Sequence, residues 1–190
     1  MLRIFFSLIL LFSNITPATK GKTMPSILII YGSYQGSTAE IATQIKETLD
    51  NLNCQTTIMP ASAIRTDLTR YDLIVIGSAI HGDKPHENVV KFIEMNRTAL
   101  SQKKVAVFTV CSTITSTIPK RKANALTYPE KIANGLKLAD KAVFGGKIAP
   151  SGKFGNFMAK KILGITPGDY RDWEAIKAWA ALLTGFLKTH

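Results

Sequence analysis

Acidic residues, cysteines and histidines are scarce in this chain: thirteen Asp and Glu, two Cys and three His in 190 residues. Cys54 and Cys111 make neither a disulfide framework nor a metal site by their spacing, and two reduced, buried thiols suit a cytoplasmic compartment. Nothing matches G-x-x-x-x-G-K-[ST] or G-x-G-x-x-G, and no acidic residue closes a second strand to hold a ribose. Phosphoryl transfer by a P-loop and a dinucleotide fingerprint therefore have no support. No basic stripe is interleaved with aromatics, so nucleic-acid binding has none either. The apolar stretch Ile4–Phe12 is too short to span a bilayer comfortably, although it has the length of a signal-peptide core. Residues 1–23 read as a signal-like or anchoring leader, or as an early start ahead of Met24. In both cases the domain is expected at 24–190.

What is present is a basic, well-hydrophobic chain. Lys and Arg number 24, the net charge is +11, and removing residues 1–23 leaves +8. Such a surface attracts nucleic acid, anionic lipid or acidic small molecules, and charge alone does not rank them. Hydrophobic residues make up 46% of the chain, enough for one domain with a full core.

Ile27–Tyr31 is a short β-branched run ended by a Gly/Ser turn, the pattern of a strand buried on both faces. A helix from Ser37 or Thr38 to about Asn53 follows, with Ile41, Ala42, Ile45 and Leu49 on one face. Further strands are expected at Cys54–Met59, Tyr71–Ile80, Lys104–Val110 and Lys141–Ile148. Helices are expected from Pro85 or His86 to Asn96, over most of Lys120–Asp140, and at Arg171–Lys188. Alternating strands and helices imply an α/β three-layer sandwich around a five-stranded parallel sheet, of order 2-1-3-4-5 or that of a small dinucleotide-type unit. Its ligand would lie beyond the C-terminal strand ends, where Gly32–Thr38, Ser78–Pro85 and Cys111–Pro119 meet.

The first of these loops lies within "YGSYQGSTAEIA", Tyr31–Ala42, which offers hydroxyls and backbone N–H groups at a helix start but no Lys or Arg. Such a nest binds a phosphate through dipoles and neutral donors. Without a lysine or a metal-binding carboxylate there, the anion is a handle rather than a reactant. The bland alternative is that Ser and Thr merely cap the helix.

The longer stretch "IIYGSYQGSTAEIATQI" resembles the FMN-phosphate signature of flavodoxin-like domains along its whole length. The resemblance implies FMN as cofactor and the 2-1-3-4-5 order. It implies that Ser33, Tyr34, Gln35, Gly36, Ser37 and Thr38 wrap the phosphate. By the same pattern Ser78, Ala79, Ile80, His81 and Gly82, with Cys111, Ser112, Thr113, Ile114 and Thr115, enclose the flavin ring. "YDLIVIGSAIHGDKPHENVVKFI", "KKVAVFTVCSTITSTIPKRKANA", "KAVFGGKIAPSGKFGNFMAKKILG" and "DYRDWEAIKAWA" look like the flavodoxin-domain group that includes menaquinone-dependent protoporphyrinogen oxidase. That resemblance covers about residues 26–188 and implies an oxidoreductase acting on a porphyrinogen, with a lipid quinone as acceptor, in haem biosynthesis. Alternatives are a flavodoxin-type electron carrier with a redox protein partner, and an FMN-dependent quinone or NAD(P)H reductase.

Several residues carry both a functional and a bland reading. His81 and Asp83 are the candidates for proton handling, and His81 is the only ring in its loop. Otherwise His81 is solvated or caps the next helix. Lys120, Arg121 and Lys122 could meet carboxylates such as propionates, or simply begin a solvated helix. Gly152–Gly164 could form an amphipathic helix resting peripherally on an anionic membrane face, or pack as ordinary cover. Trp173 and Trp179 read as core anchors, and nothing around Cys111 signals a thiolate.

Overall fold

The computed structural model describes residues 24–63, 67–149 and 152–187. The expectation of a leader at 1–23 lies outside them. Five parallel strands, β1 (Ser26–Gly32), β2 (Gln55–Pro60), β3 (Leu73–His81), β5 (Lys104–Val110) and β6 (Leu138–Phe144), form a sheet in the order β2-β1-β3-β5-β6. The two-residue β4 (Lys84–Pro85) pairs antiparallel with the end of β3. Counting the parallel strands alone, this is the 2-1-3-4-5 order.

The central strands are continuous apolar runs because each feeds two cores. Ile27 and Ile29 of β1, Leu73 and Val75 of β3, and Ala106, Phe108 and Val110 of β5 face one side. There they meet α1 (Ser37–Asn51) and α7 (Trp173–Leu183), through Ile41, Ile45, Leu49, Ile176 and Trp179. The alternate residues Leu28, Ile30, Ile74, Ile76, Val105 and Val107 face the other side. They pack on α2 (Glu87–Met95), α3 (Arg97–Ser101) and α5 (Tyr128–Ala133) through Val89, Phe92, Ile93, Leu100 and Ile132. Truncating any one of the fully buried isoleucines to Ala would cost about 2–5 kcal/mol, so the strand order at the site is firmly held. Trp179 is a core anchor as expected, its indole N–H donating to Asp140 Oδ2 at 3.0 Å while its ring meets Phe108 and Phe144.

Three expectations need correction. The helix expected over Lys120–Asp140 is two short ones, α4 (Pro119–Ala125) and α5, and β6 begins at Leu138. Pro129 restarts the helix in its first turn, and Asn134 and Gly135, at φ 47° and 89°, end it. The strand expected at Lys141–Ile148 accordingly lies earlier and stops at Phe144, before Gly145-Gly146. Beyond those glycines, β7 (Lys147–Ile148) pairs antiparallel with β8 (Gly168–Asp169) in a small separate ribbon. The last helix starts at Trp173 rather than Arg171, because the Asp172 carboxylate accepts from Ala175 N at 2.9 Å and caps it. Gly152–Gly164 is helical: α6 (Gly152–Met158) continues into one wider π-type turn and ends at Gly164, φ 64°. No residue of α6 is buried, and Phe154 and Phe157 are exposed, while Gly155 and Met158 are half-buried.

Candidate functional site

The anion nest is built where β1 hands over to α1. Gly36 is the N-cap residue of α1 at φ 93°, a left-handed conformation that glycine adopts without strain. It makes no side-chain cap, and its own N–H donates to Ser33 Oγ at 3.1 Å, folding the loop back on itself. The N–H groups of Ser37, Thr38 and Ala39 have no partner within the helix and carry its positive dipole end. Thr38 is 1% exposed, and its hydroxyl has no hydrogen-bond partner among the described residues. A partnerless hydroxyl in the cavity lining, at an uncapped helix start, is a poor cap and a good ligand donor.

Around this nest is a cavity of about 380 Å³. Ser33, Tyr34, Gln35, Ser37, Thr38, Ala79, Ile80, His81, Cys111 and Ser112 line it, together with Val110. Gly36 sits behind the loop as the cap. Ser78, Gly82, Thr113, Ile114 and Thr115 are outside the lining. Ser78 is fully buried, and its Oγ accepts from His86 N at 3.0 Å, so it shapes the β3–β4 turn instead. Gly82 and Asp83 have φ of 55° and 61°, the pair of left-handed residues that a two-residue hairpin requires. Thr113–Thr115 forms one 3₁₀ turn held by Thr115 N and Oγ1 on Ser112 O.

Asp83 does not line the cavity, because the Tyr128 hydroxyl donates to its Oδ1. Tyr128 is itself 2% exposed, and burial together with the Asp83 carboxylate pushes its pKa up to about 12. This bond ties the hairpin carrying His81 to α5. Burial likewise pushes the Cys111 thiol up to about 11, so at neutral pH it is an apolar wall rather than a nucleophile. Lys120 and Lys122 are exposed on α4 and Arg121 half-buried, all outside the lining.

Sequence reasoning missed two parts of the site. His81 is not the only ring: Tyr34 lies 4.4 Å from the His86 ring and 5.9 Å edge-on from that of His81. His86, not His81, caps α2, its Nδ1 accepting from Asn88 N at 3.3 Å. The second omission is a fourth wall, Gly146–Ala149, brought from beyond β6. The Gly145-Gly146 pair, read as strand interior, was the signal that could have found it.

A cavity at the C-terminal edge of a 2-1-3-4-5 parallel sheet, opening on an uncapped helix N-terminus, places the chain in the doubly wound α/β class whose ligands sit at the switch point. A family model described as a flavodoxin domain matches residues 28–165, and the chain belongs to that family. FMN is the family's cofactor. Flavodoxin 2 from Bacillus cereus is similar at 23% identity and a TM-score of 0.56, over 84% of this chain and 98% of its own. Flavodoxin 1 from the same organism gives 20% and 0.58, over 86% and 99%. Rubredoxin oxygen:oxidoreductase from Desulfovibrio gigas gives 18% and 0.55, over 86% of this chain but 37% of that one. At these identities the likeness is one of fold. The residues present fit the cofactor: neutral donors and the partnerless Thr38 hydroxyl of the lining for a phosphate, and mostly uncharged side chains for a flat ring.

Proposed function

We propose that this chain is a flavodoxin-type redox protein that holds FMN in the cavity described above and exchanges electrons with a protein partner. The phosphate would be held by Ser33, Ser37, Thr38 and the N–H groups of the loop. The ring would be held by Tyr34, Ala79–His81 and Cys111–Ser112. When bound, FMN supplies one- and two-electron redox chemistry. Thr38 and the helix N-terminus orient the cofactor by satisfying its anionic end. Tyr34, half-exposed against His81 and His86, shields one edge of the cavity from water. His81, exposed in the lining, offers an imidazole as a proton-holding group, while Asp83 fixes the hairpin through Tyr128. The observation that carries this reading is the partnerless Thr38 hydroxyl of the cavity lining, at the uncapped start of α1. Given the basic surface, the partner would present an acidic face.

A second reading is favoured by one feature, the segment Gly152–Leu163. Phe154 and Phe157 are 78% and 58% exposed beside Lys153, Lys160 and Lys161. The segment is tied to the third loop, where Ser116 Oγ donates to Leu163 O at 2.6 Å and Thr117 N to Gly164 O at 3.0 Å. Next to it, α4 carries Lys120, Arg121 and Lys122. An apolar surface with fixed cations suits a flat, carboxylate-bearing macrocycle and a lipid quinone at an anionic membrane face. Protoporphyrinogen IX would then be the electron donor and a quinone the acceptor. No helix among the described residues is long and apolar enough to cross a membrane, so this contact would be peripheral.

One experiment separates the readings. The purified protein is assayed for bound flavin by absorption, then for porphyrin fluorescence with protoporphyrinogen and a menaquinone analogue. Porphyrin formation that depends on the protein and on the quinone establishes the second reading. Bound FMN, no porphyrin, and salt-sensitive electron transfer to an acidic acceptor protein establish the first. No bound flavin under any loading condition refutes both.

A further inference from the structure

The nest between Ser33 and Thr38 contains no cation, and none lies nearby in the sequence until Lys46. The fold brings one from far along the chain. The backbone N–H of Lys147 donates to Ser37 Oγ at 3.0 Å across 110 residues, and Lys147 lines the same cavity as Thr38. This approach is close because the two positions preceding Lys147 are glycine. A Cβ on Gly146 would stand 3.3 Å from Ser37 Cβ and 3.0 Å from Val110 Cγ1, and one on Gly145 would stand 2.5 Å from the Tyr170 carbonyl oxygen. Tyr170 N in turn donates to Gly146 O at 3.2 Å.

The charges around this contact are arranged in a definite way. Two carboxylates flank the nest: Glu40, in the first turn of α1, and Asp169, directly across the ribbon from Lys147. Arg171, its side chain only 9% exposed, takes both, reaching Asp169 with Nε at 2.7 Å and Glu40 with Nη1. Its guanidinium also lies 4.8 Å over the Trp173 ring, which fixes it in place. Lys147 has no ion pair within 4.0 Å among the described residues, and its side chain is exposed.

We propose that Lys147 is the cationic partner of the cofactor's phosphate, supplied from the opposite wall, and that Arg171 keeps it available by occupying Glu40 and Asp169. This rests on FMN being held with its phosphate at α1, and it makes Lys147 a determinant of selectivity for phosphorylated over unphosphorylated flavin. Arg171 is a positioning residue that anchors the ribbon to α1.

The test compares FMN and riboflavin binding to the flavin-free full-length protein, by fluorescence quenching over a range of salt concentrations. Lys147→Met keeps the backbone N–H and the aliphatic stem and removes only the charge. It is expected to weaken FMN roughly tenfold or more, to leave riboflavin unchanged, and to flatten the salt dependence of FMN binding. Lys147→Arg restores most of the affinity. Lys91→Met, on the exposed face of α2, controls for the loss of one positive charge. Unchanged FMN affinity in Lys147→Met overturns the proposal, as does an equal loss for both flavins, which would mark a structural role. If Thr38→Val weakens FMN and Lys147→Met does not, the phosphate site stands and this inference alone fails. An unaltered protein that binds riboflavin as tightly as FMN refutes the phosphate site and this inference with it.

Discussion

Thr38 gives the sharpest test of the anion nest, because one substitution should leave stability nearly unchanged while weakening FMN. The side chain is 1% exposed, and its hydroxyl has no partner among the described residues. Thr38→Val exchanges that hydroxyl for a methyl group of nearly the same shape. In the flavin-free protein no hydrogen bond within the protein is lost, so stability should change by no more than about 1 kcal/mol in either direction. For a domain of this size that is a melting-temperature change of at most roughly 2–4 °C. In the loaded protein the same hydroxyl would donate to a phosphate, a bond to a charged acceptor worth about 1.5–3 kcal/mol. FMN affinity should therefore fall about 10- to 150-fold. Riboflavin, lacking the phosphate, should bind as before. Thermal unfolding by circular dichroism and flavin titration at neutral pH read the two effects. A flavin-free variant that melts many degrees lower would show that the hydroxyl is a structural cap. FMN affinity unchanged within twofold would show that the phosphate does not lie at α1.

Two further perturbations probe the supports of the site. Tyr128 is held neutral by burial and by Asp83, with a pKa of about 12 against an ordinary 10.0. Its folded value is the higher, so its contribution is complete below about pH 10 and is lost as pH rises through 12. Tyr128→Phe should remove a tyrosinate transition near pH 12 from the ultraviolet titration and shrink the alkaline loss of stability. Loss of a transition near pH 10 instead would refute the Tyr128–Asp83 contact. At the acid end, hydrogen bonding to Arg171 holds Asp169 at about 2, below its ordinary 3.8. That contribution is present above about pH 3.8 and is lost as pH falls through 2. Arg171→Met should thus be destabilising near neutrality and progressively less so in urea unfolding between pH 4 and 2. A difference between the two proteins that is independent of pH would mean that Arg171 does not pair with Asp169.

Much of the architecture was legible because it is written in periodicity. Ile27–Ile30, Leu73–Ile76 and Val105–Val110 must be apolar on both faces if helices cover both sides of the sheet, and that pattern is visible without coordinates. The region from Lys120 to Ile148 was misread for an equally local reason. α4 and α5 are each two turns or less, too short for their period to stand out, and their break at Pro129 and Gly135 is punctuation rather than pattern. β6 is only partly buried at most positions, so its strand signal is diluted. The two-residue β4, β7 and β8 have no periodicity to read.

The anion nest was determined by the sequence itself. A strand, a turn and a helix start are contiguous, so "YGSYQGSTAEIA" carries the loop's neutral donors in order and forms wherever β1 and α1 form. The rest of the cavity belongs to tertiary structure alone. Tyr34 beside His86, Asp83 beneath Tyr128, and Lys147 against Ser37 join segments that are 45 to 110 residues apart or lie on separate loops. No local preference brings such groups together. They meet because a doubly wound sheet collects its loops at one edge, and because Gly145-Gly146 lets the last of them close on the first. The loop that lacks a cation in sequence is met in the fold by the backbone of Lys147, 110 residues further on.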